Sequence, residues 1–257
     1  MAKDKSFDLE NFLNEENEES SVEYNEQKYV ILHEEFQKAI GLKGIMLGDM
    51  SMGYGLSDSG KTEFMLHVAK AATLQDILPI LIITENKFKE DRLSNFGLTN
   101  KNCLVKRNMK YLEDVYDYIS QIIYKVKKKE LRKDVIILWD SVASTPSKET
   151  MEIDKEGKIK KKYGPQKNAA VIGYYNPIMM DLVTSTREKD CEHQVGVYMV
   201  NQCYVKPPEF AGAMATLVPN GGEKIWYNLS LTVEFKEGQR LKAKKDGVDY
   251  AFGLVTR

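Results

Sequence analysis

The segment GLSDSGKT at residues 55–62 constrains the fold of this chain more than any other feature. Its glycines, lysine and threonine have the spacing of a phosphate-binding loop, G-x-x-x-x-G-K-[ST]. The short apolar run Ile45–Leu47 and a glycine-rich turn over 48–60 come first, and helical spacing follows from Phe64 to Leu74. Such a loop works between a strand and a helix, because the helix N-terminus adds its dipole to the backbone amides. The sequence therefore predicts a strand, a phosphate loop and a helix in that order.

Seven of the eight residues of this loop have an expected part in holding a nucleotide. The contacts are expected from Gly55, Ser57, Asp58, Ser59, Gly60, Lys61 and Thr62. Lys61 is expected to reach the β- and γ-phosphates of ATP, and Thr62 to ligate Mg²⁺ through its hydroxyl. Asp58 leaves two alternatives, a side chain that points outward or a weaker affinity for nucleotide.

Downstream of the loop, predicted strands and helices alternate. Short apolar runs with β-branched residues predict strands at Leu78–Thr84, Val135–Trp139 and Val195–Val200, and a fourth strand is predicted at Ser230–Phe235. Helices are predicted at Phe64–Leu74, Leu112–Val126 and Pro177–Thr184, the last with its proline in the first turn. This alternation predicts an α/β fold, a mostly parallel twisted sheet with helices on both faces.

Polar residues end three of these strands. Asp140 follows VIILW, where a carboxylate can hold Mg²⁺ beside the phosphate loop. Glu85 follows LPILIIT and is expected to position or deprotonate the attacking water. Asn201 and Gln202 follow VGVYMV, where a carboxamide can hydrogen-bond the γ-phosphate. We therefore expect Lys61, Glu85 and Gln202 to be catalytic, and Thr62 and Asp140 to bind the metal.

Composition excludes several classes of protein. Lys and Arg (37) nearly balance Asp and Glu (38), which excludes a polybasic protein whose whole surface grips nucleic acid. The three cysteines lie too far apart for a zinc finger or a disulfide scaffold. No apolar run approaches the roughly 20 residues that span a bilayer. Residues 1–28 are acidic and polar, and they are expected to form a flexible arm before a core at 29–257. The expected location is cytoplasmic, and no membrane partner is expected.

Taken in order, these motifs resemble the RecA family of recombination ATPases over roughly residues 30–250. The resemblance rests on the phosphate loop, Glu85, DVIILWDSVASTPSKE at 134–149, VGVYMVNQ at 195–202 and PNGGEKIWY at 219–227. The lysine-rich insertion makes the chain more similar to phage-encoded relatives than to bacterial RecA. The resemblance implies a RecA-like P-loop core that binds ATP and Mg²⁺ in a host cytoplasm.

The resemblance also implies two DNA-binding loops, near 149–175 and 203–222. The first has a lysine run and a tyrosine that suit phosphates and bases, and the second is rich in small and apolar residues. The implied DNA contacts are Lys158, Lys160, Lys161, Lys162, Tyr163, Lys167, Lys206 and Phe210. Gln202 stands at the root of the second loop, so a γ-phosphate contact there would couple ATP binding to DNA binding.

The implied function is an ATP-dependent recombinase. It would self-associate into a helical filament on single-stranded DNA and pair that DNA with a homologous duplex. Two alternatives stay open: a ring-forming DNA helicase or motor, and a nucleotide- or DNA-binding module without turnover. Besides Asp58 in the phosphate loop, two further features depart from the family pattern. Arg92 stands where the family commonly has an aromatic residue beside adenine, and the chain ends at Arg257, before a family strand whose lysines reach the neighbouring subunit's ATP.

Overall fold

The elements come from a computed structural model, which describes Leu9 and residues 23–85, 88–151, 156, 165–206, 216–245 and 248–256. Its strands are β1 (Tyr29–Ile31), β2 (Gly44–Met46), β3 (Met50–Gly55), β4 (Leu78–Ile83), β5 (Leu104–Lys106), β6 (Val135–Asp140), β7 (Val195–Lys206), β8 (Thr216–Pro219), β9 (Leu231–Phe235), β10 (Glu237–Lys245) and β11 (Val248–Thr256). Its α-helices are α1 (Glu34–Ile40), α2 (Lys61–Leu74), α3 (Asp91–Asn95), α4 (Leu112–Lys127) and α5 (Pro165–Thr184). Short 3₁₀ helices lie at Val142–Ser144, Lys148–Met151, Ser185–Arg187 and Glu223–Asn228.

A central sheet of seven strands organises the molecule. Six strands lie in the order β5-β4-β6-β7-β3-β9, and every neighbouring pair is parallel. The seventh, β8, pairs antiparallel with the end of β7. Two small antiparallel sheets, β1–β2 and β10–β11, complete the described strands. The predicted α/β fold with a mostly parallel sheet is confirmed.

Helices cover both faces of this sheet, as predicted. Alternate residues of β6 separate the two layers of the core: Ile137 and Trp139 pack towards α4 and α5, and Ile136 and Leu138 towards α2. The amphipathic α4 turns Leu112, Val115, Tyr116, Ile119, Ile122, Ile123 and Val126 inward. Because strand side chains alternate between faces, a continuous apolar strand such as VIILW can only sit between two helical layers.

The apolar run Ile45–Leu47 overlaps a strand, but the strand that leads into the phosphate loop is β3, which the sequence pattern did not predict. Residues 44–46 form β2, which pairs with β1 in a separate two-stranded sheet, and the predicted turn over 48–60 contains the whole of β3. The sequence MSMGYG of β3 has two glycines, which concealed its strand character. Gly53 is needed there because a Cβ at this position would overlap the Tyr198 hydroxyl.

The helix predicted at Pro177–Thr184 is longer, since α5 begins at Pro165 and contains Pro177 in its interior. A proline inside a helix lacks the N–H that would bond the carbonyl four residues earlier, here that of Gly173. Burial offsets this loss, because Ile172, Met179 and Val183 pack in the core. Tertiary packing thus overrode the local signal that indicated a helix start.

The folded body begins before Tyr29. The Asn25 amide side chain donates to the carbonyls of Glu188 and Cys191, both at 2.9 Å, and Gln194 donates to the Glu26 carbonyl at 2.9 Å. Residues 23–28 of the predicted arm therefore pack on the body, while residues 1–8 and 10–22 lie outside the described residues. In the described part of the chain, no helix is both long and apolar enough to cross a membrane.

Candidate nucleotide-binding site

Strand register brings the predicted site residues to one edge of the sheet. Gly55, the last residue of β3, lies opposite Gln202 of β7, and Asp140 of β6 lies opposite Val200 of β7 and Ile83 of β4. Because parallel strands end at the same edge, the phosphate loop, Asp140, Asn201–Gln202 and Glu85 meet there. The strand β7 lies between the loop and Asp140, so its polar end is central to the site.

The phosphate loop has the geometry that its glycines and serines suggest. Gly60 has φ +97°, which favours glycine, and a Cβ at Gly55 would overlap the carbonyl oxygen of Phe235. The buried Ser59 hydroxyl donates to the Leu56 carbonyl at 2.8 Å and holds the turn. Ser57 and Asp58 are exposed, and Asp58 adopts φ +60°. Helix α2 begins directly after the loop with no side-chain cap.

Lys61 lies inside this loop. It is buried, and its ammonium donates to the Leu56 carbonyl and to the Ser59 hydroxyl, the latter at 3.3 Å. Burial lowers the pKa of Lys61, while the charges of Asp140, Cys203, Glu85 and Asp58 act in the opposite direction. The two described hydrogen bonds of this ammonium go to uncharged oxygens, so an anionic ligand would supply the opposite charge that the buried cation lacks in direct contact.

Thr62 and Asp140 form a pair that fits Mg²⁺. The Thr62 hydroxyl donates to Asp140 Oδ2 at 2.7 Å, and the buried Asp140 Oδ1 has no hydrogen-bond partner among the described residues. Burial raises the pKa of Asp140 to about 6, with Glu85 adding to the rise, while Thr62, Lys61 and Arg92 lower it. A hydroxyl beside a carboxylate with an unused oxygen is the hard donor set that Mg²⁺ prefers.

Glu85 is tied to Asp140 through backbone and hydroxyl contacts. Its amide N–H donates to the Asp140 carbonyl at 3.3 Å, and that of Thr84 donates to the same carbonyl at 2.8 Å. The Thr84 hydroxyl also accepts from the Ser141 N–H at 3.1 Å and lies 2.8 Å from the Thr145 hydroxyl. These contacts join the ends of β4 and β6, so Glu85 stays near the predicted metal ligands.

Asn201 connects this edge to the β7–β8 hairpin. Its side-chain amide donates to the Asn220 carbonyl at 2.7 Å, and the Asn220 N–H donates to the Gln202 carbonyl at 2.9 Å. Asn201 is fully buried, and its Oδ1 has no hydrogen-bond partner among the described residues. The strand end beside the phosphate loop is thus fixed to the segment that leads into the Gly221–Gly222 turn.

Arg92 is in α3 and is exposed. Its positive charge lowers the pKa of Asp140, which means that the guanidinium stabilises the ionised form of that carboxyl group. The predicted contact with adenine stays a prediction. Arg107 contacts the segment before α3, since its guanidinium lies over the Phe88 ring at 5.2 Å and pairs with Glu90 at 3.6 Å.

The two predicted DNA loops are shorter than the sequence indicated. Residues 165–175 belong to α5, and 203–206 and 216–219 are strands of a hairpin. Lys167 is in α5 and pairs with Glu149 at 2.7 Å, and Lys206 ends β7 without a described side chain. The other predicted DNA contacts lie outside the described residues: Lys158, Lys160, Lys161, Lys162, Tyr163 and Phe210.

Two residues of the site escaped the sequence reasoning. The Cys203 thiol interacts with the Gly55 amide, and Lys61 lowers the pKa of this thiol, although burial raises it overall. Thr84 is the hydroxyl that links the ends of β4 and β6. Both stand directly beside predicted residues, Gln202 and Glu85, and this adjacency was the only signal.

Neither a scan against models of known protein families nor a search among curated proteins finds a match to this chain. What the chain does is therefore inferred from the site itself.

Proposed function

We propose that this chain is a RecA-type recombinase that hydrolyses ATP, forms a helical filament on single-stranded DNA and pairs it with a homologous duplex. The observation that carries the proposal is the meeting of Lys61, Thr62, Asp140 and Glu85 with the polar end of β7 at one edge of a parallel sheet. The order of the motifs along the chain and their similarity to RecA ATPases support the DNA part of the proposal.

In this proposal the triphosphate of ATP lies along the backbone amides of the loop and the first turn of α2. Lys61 neutralises the β- and γ-phosphates from inside the loop. Thr62 and Asp140 would hold Mg²⁺, which supplies charge neutralisation and orients the phosphates when bound. The buried position of Asp140 strengthens every electrostatic interaction at this point.

Glu85 has the part of general base. A water attacks the γ-phosphorus, the bond to the β-phosphate oxygen breaks, and the water gives its proton to the Glu85 carboxylate. ADP and inorganic phosphate are the products. The contacts of Thr84 with Asp140 and Ser141 hold the backbone that precedes Glu85 beside the end of β6.

Coupling to DNA would pass through β7. Gln202 lies opposite Gly55 of the loop, and its carbonyl accepts from the N–H of Asn220, directly after the returning strand β8. A γ-phosphate that contacts Gln202 therefore acts on both ends of the hairpin that contains the predicted second DNA loop. Nucleotide state and DNA affinity become one coupled equilibrium.

The test is ATP hydrolysis with and without single-stranded DNA, over a series of salt concentrations. We expect DNA to stimulate hydrolysis, and Lys61→Ala to lower the stimulated rate by about 100-fold or more. Lys70→Ala is the matched control, because Lys70 is an exposed lysine of the same helix.

Three outcomes contradict parts of the proposal. Hydrolysis by Lys61→Ala at the wild-type rate would show that the site is assigned wrongly. Hydrolysis that DNA does not stimulate would point to an ATPase that acts on another substrate. DNA binding without hydrolysis would indicate a binding module.

A further inference from the structure

A groove between α4 and α5 leaves apolar surface open at the opposite side of the molecule from the phosphate loop helix. Its volume is about 470 Å³, and it is lined by Ser120, Gln121, Ile123, Tyr124, Lys125, Lys127, Glu130 and Leu182. Tyr124 is 59% exposed, and Lys128 lies over its ring at 5.6 Å. The α4–α5 groove is thus an apolar surface with a basic rim.

The charge of this rim comes from the end of α4. Lys125 and Lys127 line the groove and Lys128 lies over the Tyr124 ring, against one acidic side chain in the lining, Glu130. Lys125 and Lys128 are exposed, whereas Lys127 pairs with Glu188 at 3.3 Å. A ligand for this groove should therefore combine apolar side chains with several carboxylates.

The N-terminal arm of the same chain has that chemistry. Residues 1–22 contain seven acidic and two basic side chains, and their large apolar residues are concentrated at Phe7, Leu9, Phe12 and Leu13. Leu9 is 58% exposed, so both the groove and this apolar side chain are open to a partner. The arm and the groove are complementary in charge and in hydrophobicity.

The arm joins the body beside the groove. Tyr24 forms a β-bridge with Glu188, and Glu188 pairs with Lys127, which lines the groove. Nine residues separate Leu13 from Glu23, and they reach up to about 30 Å when extended. Because a short tether gives an effective concentration of about millimolar, the arm meets its own groove before that of another molecule.

We propose that residues 7–13 of the N-terminal arm dock in the α4–α5 groove of their own chain. The apolar side chains cover Tyr124 and Leu182, and the acids that flank them pair with the basic end of α4. This inference does not depend on the proposed function, since it uses no residue of the nucleotide site.

Disulfide trapping tests this contact in the full chain. Leu9→Cys is combined with Gln121→Cys in the groove, and the control pair combines Leu9→Cys with Leu74→Cys, an exposed position on α2. We expect the groove pair to oxidise at least about tenfold faster than the control and to give an intrachain disulfide. Mass spectrometry of the digested protein distinguishes the engineered pair from disulfides of the half-buried Cys203.

A charge variant tests the electrostatic part. Lys125→Glu with Lys128→Glu should slow oxidation of the groove pair about threefold or more. Added salt should likewise slow oxidation of the groove pair in the protein that keeps both lysines. Ser120→Cys serves as a second groove position if the Gln121 variant does not fold. A disulfide that links two chains would show that the groove takes the arm of a second copy. Equal rates for the groove and control pairs would also overturn the proposal.

Discussion

At the scale of single residues, the buried carboxyl of Asp140 is the most informative group. Its Oδ1 is buried with no partner among the described residues, and burial raises its pKa from 3.8 to about 6. Keeping this group ionised inside the fold costs free energy unless a cation is nearby. Buried ionisable groups with shifted pKa values are concentrated at binding and catalytic sites of proteins.

The raised pKa predicts how stability depends on pH in metal-free buffer. Between pH 4 and 6 the folded state binds more protons at Asp140 than the unfolded state does. The free energy of unfolding therefore falls as pH rises through this window, by about 2 kcal/mol from this group. Asp140→Asn removes the effect, so wild type should lose about 2–3 kcal/mol relative to the variant between about pH 4 and pH 7.5.

Urea unfolding of both proteins at the two pH values measures this change. The Asn side chain can still accept from Thr62, so that hydrogen bond is retained in the variant. A stability difference that is the same at both pH values would show that Asp140 titrates normally in the fold.

At the scale of elements, the close approach of β3 and β7 determines how the phosphate loop is supported. Tyr198 of β7 is fully buried beneath the loop, and its hydroxyl has no hydrogen-bond partner in the described residues. That hydroxyl lies where a Cβ at Gly53 would be. The ring packs against Phe64 at 5.6 Å, which links β7 to the first turns of α2.

We expect Gly53→Ala to destabilise the protein by about 1–3 kcal/mol, because the new methyl overlaps the Tyr198 hydroxyl. Tyr198→Phe alone should be neutral or stabilising, since the hydroxyl is buried without a partner. The double variant should recover part of the loss. Thermal or urea unfolding of the four proteins measures the coupling, and strict additivity would contradict the overlap.

The β7–β8 hairpin depends on Asn201 in the same way. Asn201→Ala leaves the Asn220 carbonyl without its 2.7 Å donor, at a cost of about 1–3 kcal/mol. We expect the opening to be local, so the Asn220 amide should exchange its hydrogen faster while the amides of β6 stay protected. Hydrogen exchange measured at single amides distinguishes local opening at Asn220 from unfolding that also exposes β6. Unchanged exchange at Asn220 would mean that the β7–β8 ladder holds the hairpin without Asn201.

At the scale of the whole molecule, the proposed filament makes a prediction about assembly size. A head-to-tail interface that does not close adds subunits without limit, whereas a ring stops at a fixed number. With a non-hydrolysable ATP analogue and single-stranded DNA, the sedimentation coefficient should therefore rise continuously with protein concentration. A plateau at one size, with closed particles in electron micrographs, would favour the ring-forming helicase. Lys61→Ala should not assemble, whether the wild-type protein forms filaments or rings.

Much of this molecule was predictable from local sequence. The strands at β4 and β6 and the helix α4 have continuous or strictly periodic apolar patterns, and each was predicted within two residues. The loop residues and the strand-end acids were also predictable, because phosphate binding needs those residue types at that spacing.

Tertiary structure decided what local patterns do not encode. Strand β3 contains two glycines because Tyr198 and Phe235 closely approach its backbone. Both residues lie far from β3 in sequence, so the local pattern does not show why glycine is needed there. Helix α5 continues through Pro177 because its apolar side is buried, although proline disfavours the interior of a helix. The pairing of Thr62 with Asp140, across 78 residues, likewise follows from strand order. Sequence alone determined which chemical groups are present, and packing between distant segments determined which of them meet.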